Sequence, residues 1–412
     1  MSAVKFTSFL CLVVLSSSSF AYEVSTAGYL KSFLVYQEKV YQDKIQQEGT
    51  QQEVISSNNE TLEPEQLKLE NSLRLMIGAK TESGHDVELH YDVNPTFHAQ
   101  KKPVSNGNDS MSLYRLADLK SNIEDSNRVD ASQNLDRLNA QIHFENGDLT
   151  VGRQAITFGS ARVINPMDIF IPFGLQTLNT EYRSGIDAVR YQHYLDDFSI
   201  IDMGVILGED AVAKNSAAYV RTKNSIDGND LEFIVIKLED VELYGGGVQR
   251  SLGDMGGWLE TTYISAREQS FWRSSIGVDY AFNEDVYTLV EYHYNGMGAD
   301  NIDEYVQNSQ TDLYKKMGVT VLGRHYLMPS VSFTISPLLT VTGSLTANME
   351  DASSLLQVAS EVSWSENQYS QLGAYKGIGK GMSRDVSNSQ IELGSEFGAT
   401  PLMLYVSYAV YF

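Results

Sequence analysis

Apolar and polar side chains alternate with period two along almost the whole chain. Leu67, Leu69, Leu73, Leu75, Ile77 and Ala79 fall on one face of an extended segment, against Lys68, Glu70, Ser72, Arg74 and Lys80 on the other. Val87, Leu89, Tyr91 and Val93 oppose Glu88, His90 and Asp92, and Leu138, Ala140, Ile142 and Phe144 oppose Asn139, Gln141, His143 and Glu145. The last eleven residues do the same: Leu402, Leu404, Val406, Tyr408, Val410 and Phe412 share one face, with Met403, Tyr405, Ser407, Ala409 and Tyr411 behind them. Strand side chains alternate between faces, so each segment is a strand with one apolar and one mixed face. A soluble sandwich turns the mixed face to water; a membrane barrel turns the apolar face to lipid.

Connections decide between these. Tight turns fall at Asn146-Gly147, Asp196-Asp197, Asn283-Glu284, Ser336-Pro337 and Glu366-Asn367. Long polar stretches, 38–65, 94–132, 158–184, 296–316 and 380–401, lie between them. Short turns on one side and long loops on the other belong to a membrane barrel. The strands read as 22–36, 66–79, 84–93, 134–145, 148–157, 185–195, 198–208, 215–223, 230–238, 241–250, 256–265, 271–282, 285–295, 319–335, 338–348, 353–364, 368–378 and 402–412. The expected fold is all-β: a single transmembrane antiparallel up-and-down β-barrel of about 18 strands, with long extracellular loops and short periplasmic turns. Within 209–265 the turns at both ends are short, and about 16 strands is the alternative. Residues 113–120 fit a short helix inside one loop.

The N-terminus sets the compartment. Lys5 precedes a short apolar run, Phe9 to Leu15, and a Ser-Phe-Ala end at Ala21. This is the pattern of a signal peptide, residues 1–21, cleaved after Ala21, and the run is too short for an anchor. The barrel then occupies 22–412, with 158–184 as an inserted loop. Cys11 goes with the leader, so the mature chain has no disulfide and no thiolate chemistry. Loss of Lys5 leaves 29 basic against 53 acidic residues, a net charge of −24, which argues against nucleic acid as a partner. The 24 tyrosines suit interfacial girdles.

The terminal strand resembles that of bacterial outer-membrane proteins, which end on Phe and are read by the barrel assembly machinery. That resemblance makes Tyr408, Val410 and Phe412 the assembly signal. Val151-Gly152-Arg153-Gln154-Ala155-Ile156-Thr157-Phe158-Gly159, then Asn165-Pro166-Met167-Asp168-Ile169-Phe170-Ile171-Pro172-Phe173, resembles a region of Gram-negative porin-like barrels. Glu181-Tyr182-Arg183 and Gly185 to Arg190 resemble the returning strand; Glu291 to Asn295 and Gly394 to Gly398 resemble later landmarks. The chain resembles uncharacterised porins and alginate-export-type barrels. The resemblance implies an outer-membrane location and a strand followed by an inserted loop, and it names no substrate.

In a pore the chemistry is selectivity, set by radius and lining charge. The 158–184 loop carries Ile164, Met167, Ile169, Phe170, Ile171 and Phe173, too much apolar surface for water, so it is expected to fold into the lumen. Arg153, Arg162, Asp168, Glu181, Arg183, Asp187 and Arg190 lie in or beside it as candidates for the constriction. Either they set the field seen by a solute, or they pair and hold the loop down. Glu88, His90, Gln141, His143, Glu291 and His293 are expected to face the lumen. The three histidines read as solvated or hydrogen-bonded; no metal and no cofactor is assigned. Gly377 to Gly381 reads as a flexible loop, because no helix pattern follows it. No nucleophile or metalloprotease motif occurs.

The expected function is a porin or channel for passive or substrate-selective diffusion of small hydrophilic solutes or ions, not an enzyme. Membrane lipid, lipopolysaccharide, the assembly machinery and the solute are its expected partners. The alternatives are a barrel serving as scaffold or sheath for a periplasmic or surface partner, and a barrel-embedded hydrolase. Oligomeric state is left open.

Overall fold

The computed structural model describes residues 21–45, 60–63, 65–101, 113–267, 269–385 and 391–412. Residues 1–20, all but the last residue of the expected signal peptide 1–21, lie outside the described residues. Eighteen antiparallel strands form the wall: β1 Ala21–Gln37, β2 Gln66–Thr81, β3 Asp86–His98, β4 Val129–Phe144, β5 Gly147–Gln154, β6 Ile186–Asp196, β7 Ser199–Ile206, β8 Ala217–Ile226 and β9 Asn229–Leu238. The second half is β10 Val241–Leu252, β11 Met255–Ser265, β12 Ser270–Ala281, β13 Val286–Asn295, β14 His325–Ser336, β15 Leu339–Asn348, β16 Ser354–Ser365, β17 Gln368–Ile378 and β18 Met403–Tyr411. Each pairs with its neighbours in sequence, and β18 closes on β1 with Tyr29 opposite Tyr411 and Leu34 opposite Val406. A closed ring pairs every strand edge, which a sheet surrounded by lipid requires. The fold is a closed 18-stranded barrel, and all eighteen expected strands correspond to it.

One strand shows how the wall is built. On β9, Phe233 and Val235 are 57% and 46% exposed, while Ile234 and Ile236 between them are 2% and 0% exposed. The exposed row is the outer surface of the barrel, continued by Val205, Val220, Leu259, Ile276, Val290 and Val406. The inner row of β6–β12 packs on Phe158, Met167, Ile169 and Phe170, so half of the lumen is filled by a hydrophobic core.

Three expectations need correction. The strand expected at 319–335 begins at His325; Val319 and Leu322 pack against the internal core as loop, and Val321 joins a second internal cluster. The stretch 115–120 is irregular rather than helical, because its backbone is held by the wall through side chains described below. Helices form instead in the 296–324 loop, α1 Tyr305–Ser309 and α2 Asp312–Lys316, the second capped by the Thr311 hydroxyl accepting from the Tyr314 amide. The expected strand 368–378 forms as β17, so the run Gly377 to Gly381 read as a flexible loop begins with two strand residues. Two long loops also pair above the wall, in a small sheet of Val40–Ile45, Glu60–Glu63, Met382–Asp385 and Ile391–Leu393.

Candidate pore constriction

The chain leaves β5 at Gln154 and returns at Ile186. Between them the loop turns inward and is fixed by its backbone. Three inward carboxylates of the wall accept its amides. Glu232 on β9 takes Gly159 N–H at 3.1 Å. Glu260 on β11 takes Ser160 at 2.7 Å, Ala161 at 3.2 Å and Met167 at 2.9 Å. Glu291 on β13 takes Arg162 at 2.8 Å and Ile164 at 2.9 Å, and also the Trp258 indole at 2.9 Å. A buried carboxylate surrounded by N–H donors meets the acceptor demand of its charge while tying down donors that no strand pairs. Met167 seals the junction: a Cβ at inward-facing Gly247 would stand 3.0 Å from its Cε, so glycine leaves the space it fills.

Beyond Phe170 the loop crosses the lumen. Gln357 on β16 donates to the Leu175 carbonyl at 2.8 Å. Lys31 on β1 donates to Asn179 at 3.1 Å and pairs with Glu181, which also accepts from the Tyr411 hydroxyl. Tyr182 stacks on Tyr29 at 5.6 Å, and the Arg74 guanidinium lies over the Tyr182 ring at 4.9 Å. The loop is thus fastened to both halves of the barrel. It parts three cavities of about 600, 550 and 450 Å³. Asn179 lines the first two, Thr180 the first and third, and Pro172 and Phe173 the second and third.

The expected constriction residues do not all meet there. Arg162 lines the third cavity, 3.9 Å from Asp279. Asp168 and Arg183 form an ion pair at 2.7 Å on that cavity's loop side, and Arg183 lies 4.2 Å over the Phe173 ring. Burial pushes the Asp168 carboxyl up to about 6, against the pull of Arg183 and Arg273. Glu181 lines the first cavity. Arg190 makes a two-point pair with Asp202 at 2.9 and 2.6 Å, behind the loop.

Arg153 and Asp187 line none of the three cavities. They pair at 2.8 Å, but Ile186 and Ala188 on either side of Asp187 join the internal core, so Asp187 points outward. The segment 116–117 covers the pair, with Leu116 N–H donating to Asp187 and the Ala117 carbonyl accepting from Arg153.

Of the lumen candidates, Glu88 accepts from Asn139 and sits 2.9 Å from His90. Gln141 and His143 bond to Asp148, and His143 also meets Asp86. Glu291 and His293 face inward but are fully buried, His293 against Ser275 at 2.8 Å. Of the terminal residues, Tyr408 and Phe412 lie exposed on the lipid side, and Tyr408 donates to Gln368 at 2.9 Å. Phe412 exchanges backbone bonds of 2.8 and 3.0 Å with Gly28.

Sequence reasoning missed Glu232, Glu260, Lys31 and Gln357. The glutamates did leave a trace: Leu231-Glu232-Phe233, Leu259-Glu260-Thr261 and Val290-Glu291-Tyr292 place a carboxylate at an inward position on every second strand. Lys31 and Gln357 left none, since only the returning loop gives them partners.

No family model matches the chain, and no curated protein matches it. Solved structures do. OccD3 (OpdP) of Pseudomonas aeruginosa aligns with a TM-score of 0.53 at 8% identity, over 95% of this chain and 92% of that one. OccK5 (OpdH) of the same organism gives 0.52 at 9%, over 94% and 98%. OccAB4 of Acinetobacter baumannii gives 0.51 at 8%, over 95% and 99%. At such identity the likeness is one of fold. The class this defines is the porin-like closed β-barrel.

Proposed function

We propose that the protein is an outer-membrane channel through which small hydrophilic solutes diffuse, narrowed by the loop 155–185. The observation that carries this reading is the loop's course: it is fastened to β9, β11 and β13 on one side and to β1 and β16 on the other, with cavities between. An apolar exterior and a polar, partly open interior support the membrane setting. Selectivity then belongs to Arg162, Asp168, Glu181 and Arg183, the loop charges that line cavities. Lipid, lipopolysaccharide and the assembly machinery are proposed partners, and residues 1–21 are proposed as the leader that delivers the chain to them.

The test is planar-bilayer recording of the purified protein, with reversal potentials in salt gradients. Discrete conductance steps are expected. Their absence from protein whose gel mobility shifts on boiling overturns the proposal, and a co-purifying protein would then favour the sheath.

A further inference from the structure

Beyond the buried inward residues Tyr326, Met328 and Asn348, the inward side chains of β14 and β15 are Ser330, Ser332, Thr334 and Ser336, then Thr340, Thr342, Ser344 and Thr346. Register sets Ser330 opposite Ser344, Ser332 opposite Thr342 and Thr334 opposite Thr340. Each of these eight carries a hydroxyl and none a charge. The opposite wall differs: its inward rows hold ion pairs such as Arg74–Asp92, Arg190–Asp202 and Arg221–Glu232. Beside the hydroxyl wall, β16 adds Gln357, and β17 and β18 add Tyr375 and Tyr405, whose rings lie 5.8 Å apart.

The cavity of about 450 Å³ is bounded on this wall by Ser330, Ser344, Thr346 and Gln357, with Met328, Pro329 and Leu345 among them. Asp168, Arg183 and Arg273 bound it elsewhere. Two buried atoms of those residues have no hydrogen-bond partner among the described residues, Asp168 Oδ1 and Arg273 Nε, and both residues are only 1% exposed. One is an acceptor and the other a donor. The charges around them are largely matched: Arg183 by Asp168, Arg162 by Asp279 at 3.9 Å, and Arg273 by Asp168 and Glu260.

A hydroxyl both donates and accepts. A lining of hydroxyls can therefore replace the water around a hydroxylated solute, whereas a charged lining concentrates ions of one sign. We infer that this wall and cavity form a subsite for uncharged polyhydroxylated solutes, a small saccharide or polyol, in transit. The inference rests on the channel reading above and adds its substrate class.

Liposomes carrying the full-length folded protein test it through swelling in isosmotic glucose, gluconate and glucosamine. Glucose should enter fastest. Thr340→Val and Thr342→Val should lower the ratio of glucose to gluconate entry by about 2- to 10-fold per hydroxyl removed. Ser332→Ala serves as the milder variant if either valine chain fails to show the folded gel mobility. Faster entry of gluconate or glucosamine, or a ratio unmoved by the variants, overturns the inference. A protein that conducts ions yet excludes glucose overturns the substrate class and leaves the channel standing. A protein with no conductance overturns the channel and this inference with it.

Discussion

Gln357 Nε2 donates to the Leu175 carbonyl at 2.8 Å, so β16 holds the tip of a loop that springs from β5 and β6. The lumen is divided because that loop is held at both ends of its crossing. Deleting 175–180 should merge the cavities. Single-channel conductance should rise at least about twofold, as pore radius sets conduction. Unchanged conductance in bilayers would place the narrow point elsewhere.

Glu260 gathers three loop amides. Glu260→Ala should strand them in the interior, at about 1–3 kcal/mol for each unsatisfied group. Limited proteolysis in detergent should then cut within 155–185 while the barrel keeps its shift on boiling. Glu260→Gln, which keeps one acceptor oxygen, should be cut more slowly than the alanine variant.

Two long loops meet at Glu396, whose carboxylate accepts from Leu322 N–H at 2.8 Å, the Tyr326 hydroxyl at 2.5 Å and the Asn348 amide at 2.7 Å. Burial raises it to about 7, with Asp351 adding repulsion. Its folded value lies above its unfolded one. Its contribution is therefore whole below the ordinary glutamate range and is lost as pH rises through about 7. Hydrogen exchange, corrected for intrinsic rate, should show weaker protection of 391–400 and 319–324 above that pH. Glu396→Gln should remove the difference; persistence of the difference would assign it to another group.

Phe412 adds one more pair to the β1–β18 seam. Phe412 N–H donates to the Gly28 carbonyl and the Phe412 carbonyl accepts from Gly28 N–H, while its ring occupies the place a Gly28 Cβ would need, 2.8 Å away. Deleting Phe412 should lower the yield of heat-shifting barrel in outer-membrane fractions. Gly28→Val should do the same, since a Cβ there would also stand 2.5 Å from the Arg74 carbonyl. Normal assembly of both would remove this contact from the insertion signal.

Strand number, strand face and the inward course of the 158–184 loop were legible in the chain itself. The reason is local: period-two alternation is written in neighbouring residues, and a loop carrying Ile169, Phe170 and Ile171 cannot stay in water. Faces held where the alternation was regular, as on β2 and β18. At Arg153 and Asp187 nearness in sequence to the loop stood in for parity, and parity won: one residue further along a strand is the opposite side of the wall.

What only the tertiary structure decided is which distant groups meet. Lys31 and Glu181 are 150 positions apart, and Gln357 and Leu175 are 182 apart. No local pattern records such a pairing, because it exists only after the ring has closed and the loop has crossed it. The same holds for the carboxylates: their alternate-strand spacing is visible in one dimension, but their office as clamps on backbone amides depends on a loop arriving from elsewhere in the barrel.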